Sequence, residues 1–179
     1  MELDGEAWRT LPLEAIVSAG IAEGVVLDRP CLRTLAREVR RARALGVAGR
    51  ALTRRDLSEH GVRERLARAG VAPAGTDDAV GTLRDVGIVD DERFALARAL
   101  ALAERGRGDA AIRFDLERHG IAGEALDAAL AALEPEQERA ERIVARRGGG
   151  PATARYLARR GFGDDAVEAA ADAAVAPEA

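Results

Sequence analysis

Val62-Arg-Glu-Arg-Leu66-Ala-Arg-Ala-Gly70-Val71, Ile112-Arg-Phe-Asp-Leu116-Glu-Arg-His-Gly120-Ile121 and Thr153-Ala-Arg-Tyr-Leu157-Ala-Arg-Arg-Gly161-Phe162 are three stretches of one chain that superpose without a gap. Each sets a leucine four residues before a glycine and a β-branched residue four before that leucine. The i, i+4 spacing puts both side chains on one helix face, as a short apolar ridge. The glycine stands where a helix end calls for a left-handed residue, and the apolar residue after it can fold back onto the last turn. The three stretches are therefore three copies of a helix with a defined stop, an internal repeat.

A further helix follows each stop. After Gly120 come Glu124, Leu126, Ala129, Leu130 and Leu133; after Gly161 come Asp164, Asp165, Val167 and Ala170. The acids fall in the first turn, where the helix dipole favours them. After Gly70 a longer loop is expected, holding Pro73 and Gly75, with Thr76-Asp77-Asp78 opening a helix that carries Val80 and Leu83. A helix also precedes each copy, at 43–55, 91–104 and 135–147; the second opens at Asp90-Asp91, good N-cap chemistry, and carries Phe94, Ala97 and Ala101. Upstream, Pro30 suits a first helical turn, and Leu32, Leu35, Ala36 and Val39 recur at helical spacing, with the arginines between them on the other face. Leu3-Asp-Gly-Glu-Ala-Trp8 reads as a turn between short extended pieces, and Leu13 to Ala19 as a short helix ended by Gly20. The expected organisation is an extension or cap at 1–30, a first three-helix unit with its lead-in helix at 31–89, a second at 90–134 and a third at 135–175. The fold class is all-α, tandem three-helix repeats, with strands confined to the extension.

Composition agrees with a packed helical chain. Of 179 residues, 47% are hydrophobic and 32% charged, but aromatics make up only 3%. A core of Ala, Leu and Val buries little area per residue and needs close helix packing. The single cysteine, Cys31, excludes an intrachain disulfide and is expected to be a small core side chain. No apolar run is long enough to span a membrane, and no basic-then-apolar signal pattern opens the chain. The expected location is the cytoplasm.

The search for chemistry ends without an active site. His60 and His119 have no second ligand at metal spacing and are expected to face solvent on helices. Asp90-Asp91 is better explained as a helix start than as paired catalytic carboxylates. Gly148-Gly-Gly-Pro151 lacks the strand and the Lys-Ser/Thr of a phosphate loop and is expected to be a flexible turn into a helix. Neither enzyme activity, nor a metal, nor a cofactor is expected.

What remains is arginine. Lysine is absent, and the net charge of −4 conceals two basic blocks: eleven Arg against four acids in 31–70, and six against none in 142–160. Arg68, Arg118 and Arg159 are the central residues of the three copies of Leu-x-Arg-x-Gly; Arg105, Arg107, Arg113, Arg146, Arg147, Arg155 and Arg160 lie on or beside the same helices. One arginine near a helix C-terminus does no more than complement the dipole. The set points to a binding surface, whose planar forks suit DNA phosphates and acidic protein grooves alike.

Ile88-Val-Asp-Asp91-Glu-Arg-Phe94-Ala95, then Gly108, then Ile112, Leu116 and Gly120-Ile121, resembles the central signature of RecX proteins. Arg159-Arg-Gly161-Phe162 resembles their last-unit signature, and Ala51-Leu52, Ser58, Leu66 and Gly70 their first unit. The first unit departs from the pattern in carrying Gly61-Val62 where the family usually has Glu-Leu, and in its longer loop around Pro73. The resemblance spans roughly residues 45–172. It implies an elongated, curved body that lies along the groove of the RecA filament on single-stranded DNA and inhibits its ATPase and strand exchange, with consequences for recombination, DNA repair and the SOS response. The partner implied is RecA; single- or double-stranded DNA is a further candidate, a membrane is not, and a monomer is expected.

Two other readings fit the residues. A stand-alone helical DNA-binding module is suggested by the arginine blocks, but with one Gln (Gln137) and no Asn its base-reading vocabulary is poor. A helical scaffold unconnected with DNA would use the acidic third helices as its docking face. A recombinase pull-down separates these from the first.

Overall fold

The structure, a computed structural model, describes residues 1–4 and 6–173. Among them a two-stranded antiparallel hairpin, β1 (Glu2–Leu3) and β2 (Glu6–Ala7), precedes ten helices. These are α1 (Leu13–Ser18), α2 (Arg29–Leu52), α3 (Glu59–Arg68), α4 (Pro73–Asp85), α5 (Asp91–Glu104), α6 (Asp109–Arg118), α7 (Gly123–Ala131), α8 (Glu136–Arg147), α9 (Pro151–Arg159) and α10 (Asp164–Asp172). The chain divides into two compact units, Met1–Val89 and Asp90–Ala179.

The repeated glycines close α3, α6 and α9 in the same way. Gly70, Gly120 and Gly161 have φ of 73°, 78° and 80°. The N–H of the next residue reaches back to the leucine carbonyl: Val71 to Leu66 at 3.0 Å, Ile121 to Leu116 at 3.1 Å, Phe162 to Leu157 at 3.2 Å. The glycine N–H bonds the carbonyl three residues back, as a Schellman closure requires. The ridge residues Val62, Leu66, Ile112, Leu116 and Leu157 are wholly buried, and Thr153 nearly so.

In the first unit α2, α3 and α4 share a core of Ala44, Ala48, Leu57, Val62, Leu66, Ala79, Val80, Leu83 and Val89, while α1 packs on α2. The second unit has two clusters. Helices α5–α7 gather Ala95, Ala99, Leu102, Ile112, Leu116, Ile121, Leu126, Ala129 and Leu133; α8–α10 gather Ala140, Ile143, Ala154, Leu157, Phe162, Ala166 and Ala170.

Several expectations are corrected. The lead-in helix and the helix at 43–55 are one 24-residue helix, α2, capped by the Asp28 side chain on the Cys31 N–H at 2.8 Å. Gly46 and Gly49 lower helix propensity but do not break a helix held by packing. The loop after Gly70 is no longer than the others. Helix α4 starts at Pro73, three residues past its glycine, as α7 and α10 start three past theirs. Proline's missing N–H is one of the unpaired donors of a first turn, so Pro73 opens the helix instead of extending the loop. The apolar stripe of α2 is narrower than expected: Leu35 is buried, Leu32 and Ala36 are exposed, and Glu38 is buried beside Arg37 (3.1 Å) and Arg41 (3.9 Å). Cys31 is half-buried in the first turn of α2 rather than in the core.

The triglycine turn is held, not loose. Gly150 donates to the Ala170 carbonyl at 2.7 Å, Thr153 Oγ1 donates to the Gly148 carbonyl at 2.8 Å, and a Cβ on Gly149 would lie 2.7 Å from the Ala173 backbone.

Candidate functional site

In the second unit the α5–α7 and α8–α10 bundles are stitched together by polar contacts at one seam. Gly108 allows the first: its N–H donates to the Arg160 carbonyl at 3.0 Å, and the Ala110 N–H donates to the Gly161 carbonyl at 3.1 Å. A Cβ on Gly108 would sit 2.3 Å from Gly161 O, so no other residue fits there. Arg139, 5% exposed on α8, donates to the carbonyls of Glu134 (3.0 Å) and Arg107 (2.8 Å) and to the Asp109 carboxylate. Glu136 accepts from the Asp109 N–H at 2.5 Å with one oxygen and from the Gly163 N–H at 3.0 Å with the other. One carboxylate thus serves the starts of α6 and α10, where dipoles favour it.

The ten arginines singled out from the sequence fall into different settings. Arg68, Arg118 and Arg159 are each the last residue of their helices, and all three are exposed. Arg68 pairs with Glu64 at 2.8 Å, Arg118 lies 5.9 Å from the Phe114 ring centre, and Arg113 reaches Asp127 at 3.4 Å. The last-unit set is brought together: Arg147 and Arg160 lie 4.1 and 5.0 Å from the Tyr156 ring centre, and Arg160 donates to the Arg105 carbonyl at 3.1 Å. Arg146 folds back on the Arg142 carbonyl at 3.2 Å, and Arg155 is exposed on α9. Arg107 is exposed, and its carbonyl receives Arg139.

Four further arginines cluster in the first unit. Arg50, Arg54, Arg55 and Arg65, together with Arg68, line an open groove of about 540 Å³ whose floor is Val47, Ala51 and Ala69. Their density in the 31–70 block was the signal; which of that block's arginines converge was not readable without the turn from α2 into α3.

Around α6, Arg98 donates to both oxygens of Asp115 at 2.7 and 3.0 Å, and that hydrogen bond holds the Asp115 carboxyl below its ordinary value. On the seam side, the hydrogen bond from Arg142 does the same for Glu134. His60 is exposed, whereas His119 differs from the expectation: it is half-buried against the Phe94 ring (5.4 Å between centres), with Nδ1 2.7 Å from the Asp115 carbonyl. Position C-terminal to α6, not the helix face, brings it there. Among the described residues no group of three or more His, Cys, Asp or Glu could hold a metal ion, and no helix is long and apolar enough to cross a membrane.

The architecture is that of an all-helical repeat protein whose conspicuous chemistry is exposed arginine. Residues 90–130 match the family model for the second three-helix domain of RecX. The chain is 39% identical over 138 residues to regulatory protein RecX of Xanthomonas axonopodis pv. citri (strain 306), covering 72% of this chain and 83% of that protein. It is 33% identical over 135 residues to regulatory protein RecX of Halorhodospira halophila (strain DSM 244 / SL1), covering 70% and 84%. A crystal structure of regulatory protein RecX shares the fold with a TM-score of 0.80 at 20% identity, over 95% of this chain and 92% of that one. RecX from Lactobacillus salivarius gives a TM-score of 0.63 at 16% identity, over 73% and 93%. The chain belongs to the RecX family, and its role is regulatory.

Proposed function

We propose that this protein binds the RecA filament on single-stranded DNA in the cytoplasm and lowers its ATPase and strand-exchange activity, acting by contact and not by catalysis. The observation that carries the proposal is family membership, at 39% identity over most of both chains, in a set of proteins named as RecX regulators. The physical features support it. Tandem three-helix units offer several similar surfaces on one chain, and several weak contacts on one body raise the effective affinity for a periodic partner. A ligand that prefers one filament state biases growth against disassembly without doing chemistry. The exposed arginines at the ends of α3, α6 and α9, and the Arg147 and Arg160 pair on the Tyr156 ring, are the contacts assigned to this partner.

The test is the ATPase rate of the cognate RecA on single-stranded DNA, titrated with this protein. A fall well below one-to-one stoichiometry is expected. An unchanged rate at excess protein would remove the recombinase from the account and leave the stand-alone DNA-binding or scaffold reading.

A further inference from the structure

The extension that precedes α2 carries its apolar side chains on the outside. Among the described residues of 1–28 only Ala15 is buried, while Trp8, Leu13, Val17, Val25 and Val26 are exposed, Leu13 at 72%, Val17 at 68% and Val26 at 83%. Leu13 and Val17 stand one turn apart on the free face of α1, opposite the buried Ala15 and so away from α2, on which α1 packs. Apolar side chains turned outward together mark a contact surface rather than a core.

The extension is also acidic, with six acids against one arginine, and α2 is the reverse, with seven arginines against one acid. These opposite charges do not meet within the chain. Glu2, Glu6, Glu14 and Glu23 are exposed and enter no ion pair among the described residues, and the same holds for Arg33 and Arg40; Arg37 pairs only with its neighbour Glu38. Helical geometry explains the separation. Leu35, buried but outside the core shared with α3 and α4, marks the side of α2 that α1 covers. Arg33, Arg37 and Arg40 lie about 140–160° round the helix from it. That side carries the buried Ala44 and Ala48 further along, but toward the start of α2 it is uncovered.

We propose that this face is a two-fold interface between copies of the chain, in which the extension of each copy lies on the Arg33, Arg37 and Arg40 stripe of the other. A contact of this kind is made twice, so each copy's unpaired acids meet the other's unpaired arginines. The arginines' aliphatic stems and the exposed Ala36 between them give Leu13 and Val17 an apolar surface to lie on. A second copy fits better than an unrelated partner because the complement of each surface is present on the same molecule. Single surface ion pairs add little affinity; the apolar contact supplies the attraction, and the charges set its register. The extension and the outer face of α2 together provide about the 20–30 residues a side that a stable interface uses. The chain is then a dimer rather than the monomer expected from its sequence.

The experiment uses the 179-residue chain without recombinase, so its failure leaves the filament proposal standing. Sedimentation velocity over a dilution series should show a reversible monomer–dimer equilibrium. Glu14→Arg with Glu23→Arg, and separately Arg33→Glu with Arg40→Glu, set like charge against like in both contacts. Each variant should raise the dissociation constant by about tenfold or more. Mixed in equal amounts, the two variants should recover dimer, since both contacts of the mixed pair are then opposite in sign. Native mass spectrometry distinguishes that heterodimer from either homodimer, and circular dichroism is expected to show wild-type helicity for both variants. A chain that stays monomeric up to its solubility limit would overturn the proposal. So would a dimer that both variants preserve, or a mixture of folded variants that recovers none. A monomer whose Glu14→Arg/Glu23→Arg form loses co-sedimentation with RecA filaments would overturn it in favour of the recombinase as the partner of the extension.

Discussion

The repeat contains its own control experiment. Gly70 and Gly161 hold the same place at the ends of α3 and α9, with φ of 73° and 80°. An alanine at either must adopt a left-handed conformation, at a cost of about 1–2 kcal/mol. The surroundings differ. A Cβ on Gly70 meets nothing within 4 Å, whereas one on Gly161 lies 2.6 Å from both Ala111 Cβ and Ala111 N. That contact is with a helix backbone at the seam, which cannot swing aside. Overpacking of this kind adds about 1–3 kcal/mol, so Gly70→Ala should destabilise by about 1–2 kcal/mol and Gly161→Ala by about 2–5. Urea denaturation followed by circular dichroism measures both, and hydrogen exchange at Ala110 reports the seam bond to the Gly161 carbonyl. A double-mutant cycle with Ala111→Gly should recover part of the contact cost of Gly161→Ala and none of the cost of Gly70→Ala. Equal destabilisation by the two alanines would refute the close approach of α6 and the α9 end.

Other consequences concern the buried and paired charges. Arg139→Ala should destabilise by about 3 kcal/mol in urea denaturation: the change removes a nearly buried cation and leaves two carbonyls short of a donor, while Asp109, 42% exposed, keeps access to water. Asp115 titrates below its ordinary value in the folded state because Arg98 holds its ionised form. The folded state is therefore favoured at pH above about 4, and that contribution is lost as pH falls through the carboxylate range toward the lowered value. The stability gap between wild type and Asp115→Asn should shrink between pH 7 and pH 3; a gap that widens on acidification would contradict the pairing.

Local signals reached far in this chain because they are backbone signals. A leucine four residues before a glycine specifies a helix and its closure together, so α3, α6 and α9 were legible before any tertiary contact was known. Asp90 as an N-cap and Pro151 at a first helical turn were legible for the same reason. Pro73 with Gly75 two residues on also fits a loop; only the common offset of three residues between each repeat glycine and the next helix distinguishes the two. The continuity of α2 was hidden by Gly46 and Gly49, whose propensity cost is overcome by packing of Ala44 and Ala48. The seam was not legible at all. Arg139 and Glu136 look like members of a solvated charge run, and the partners that bury them lie about thirty residues away, at Arg107 and Asp109. The candidate surface lay between these limits: the arginine blocks were visible, but the groove needed the turn at 53–58 to bring the ends of α2 and α3 together.

The measurement that tests the central claim most directly is co-sedimentation with the cognate RecA filament on long single-stranded DNA at 200 mM salt, where DNA alone should retain little of the protein. The wild-type chain should pellet with the filament, and Arg118→Ala/Arg155→Ala/Arg159→Ala should remain largely in the supernatant with unchanged helicity. A wild-type chain that stays in the supernatant at every ratio of RecA would contradict the account.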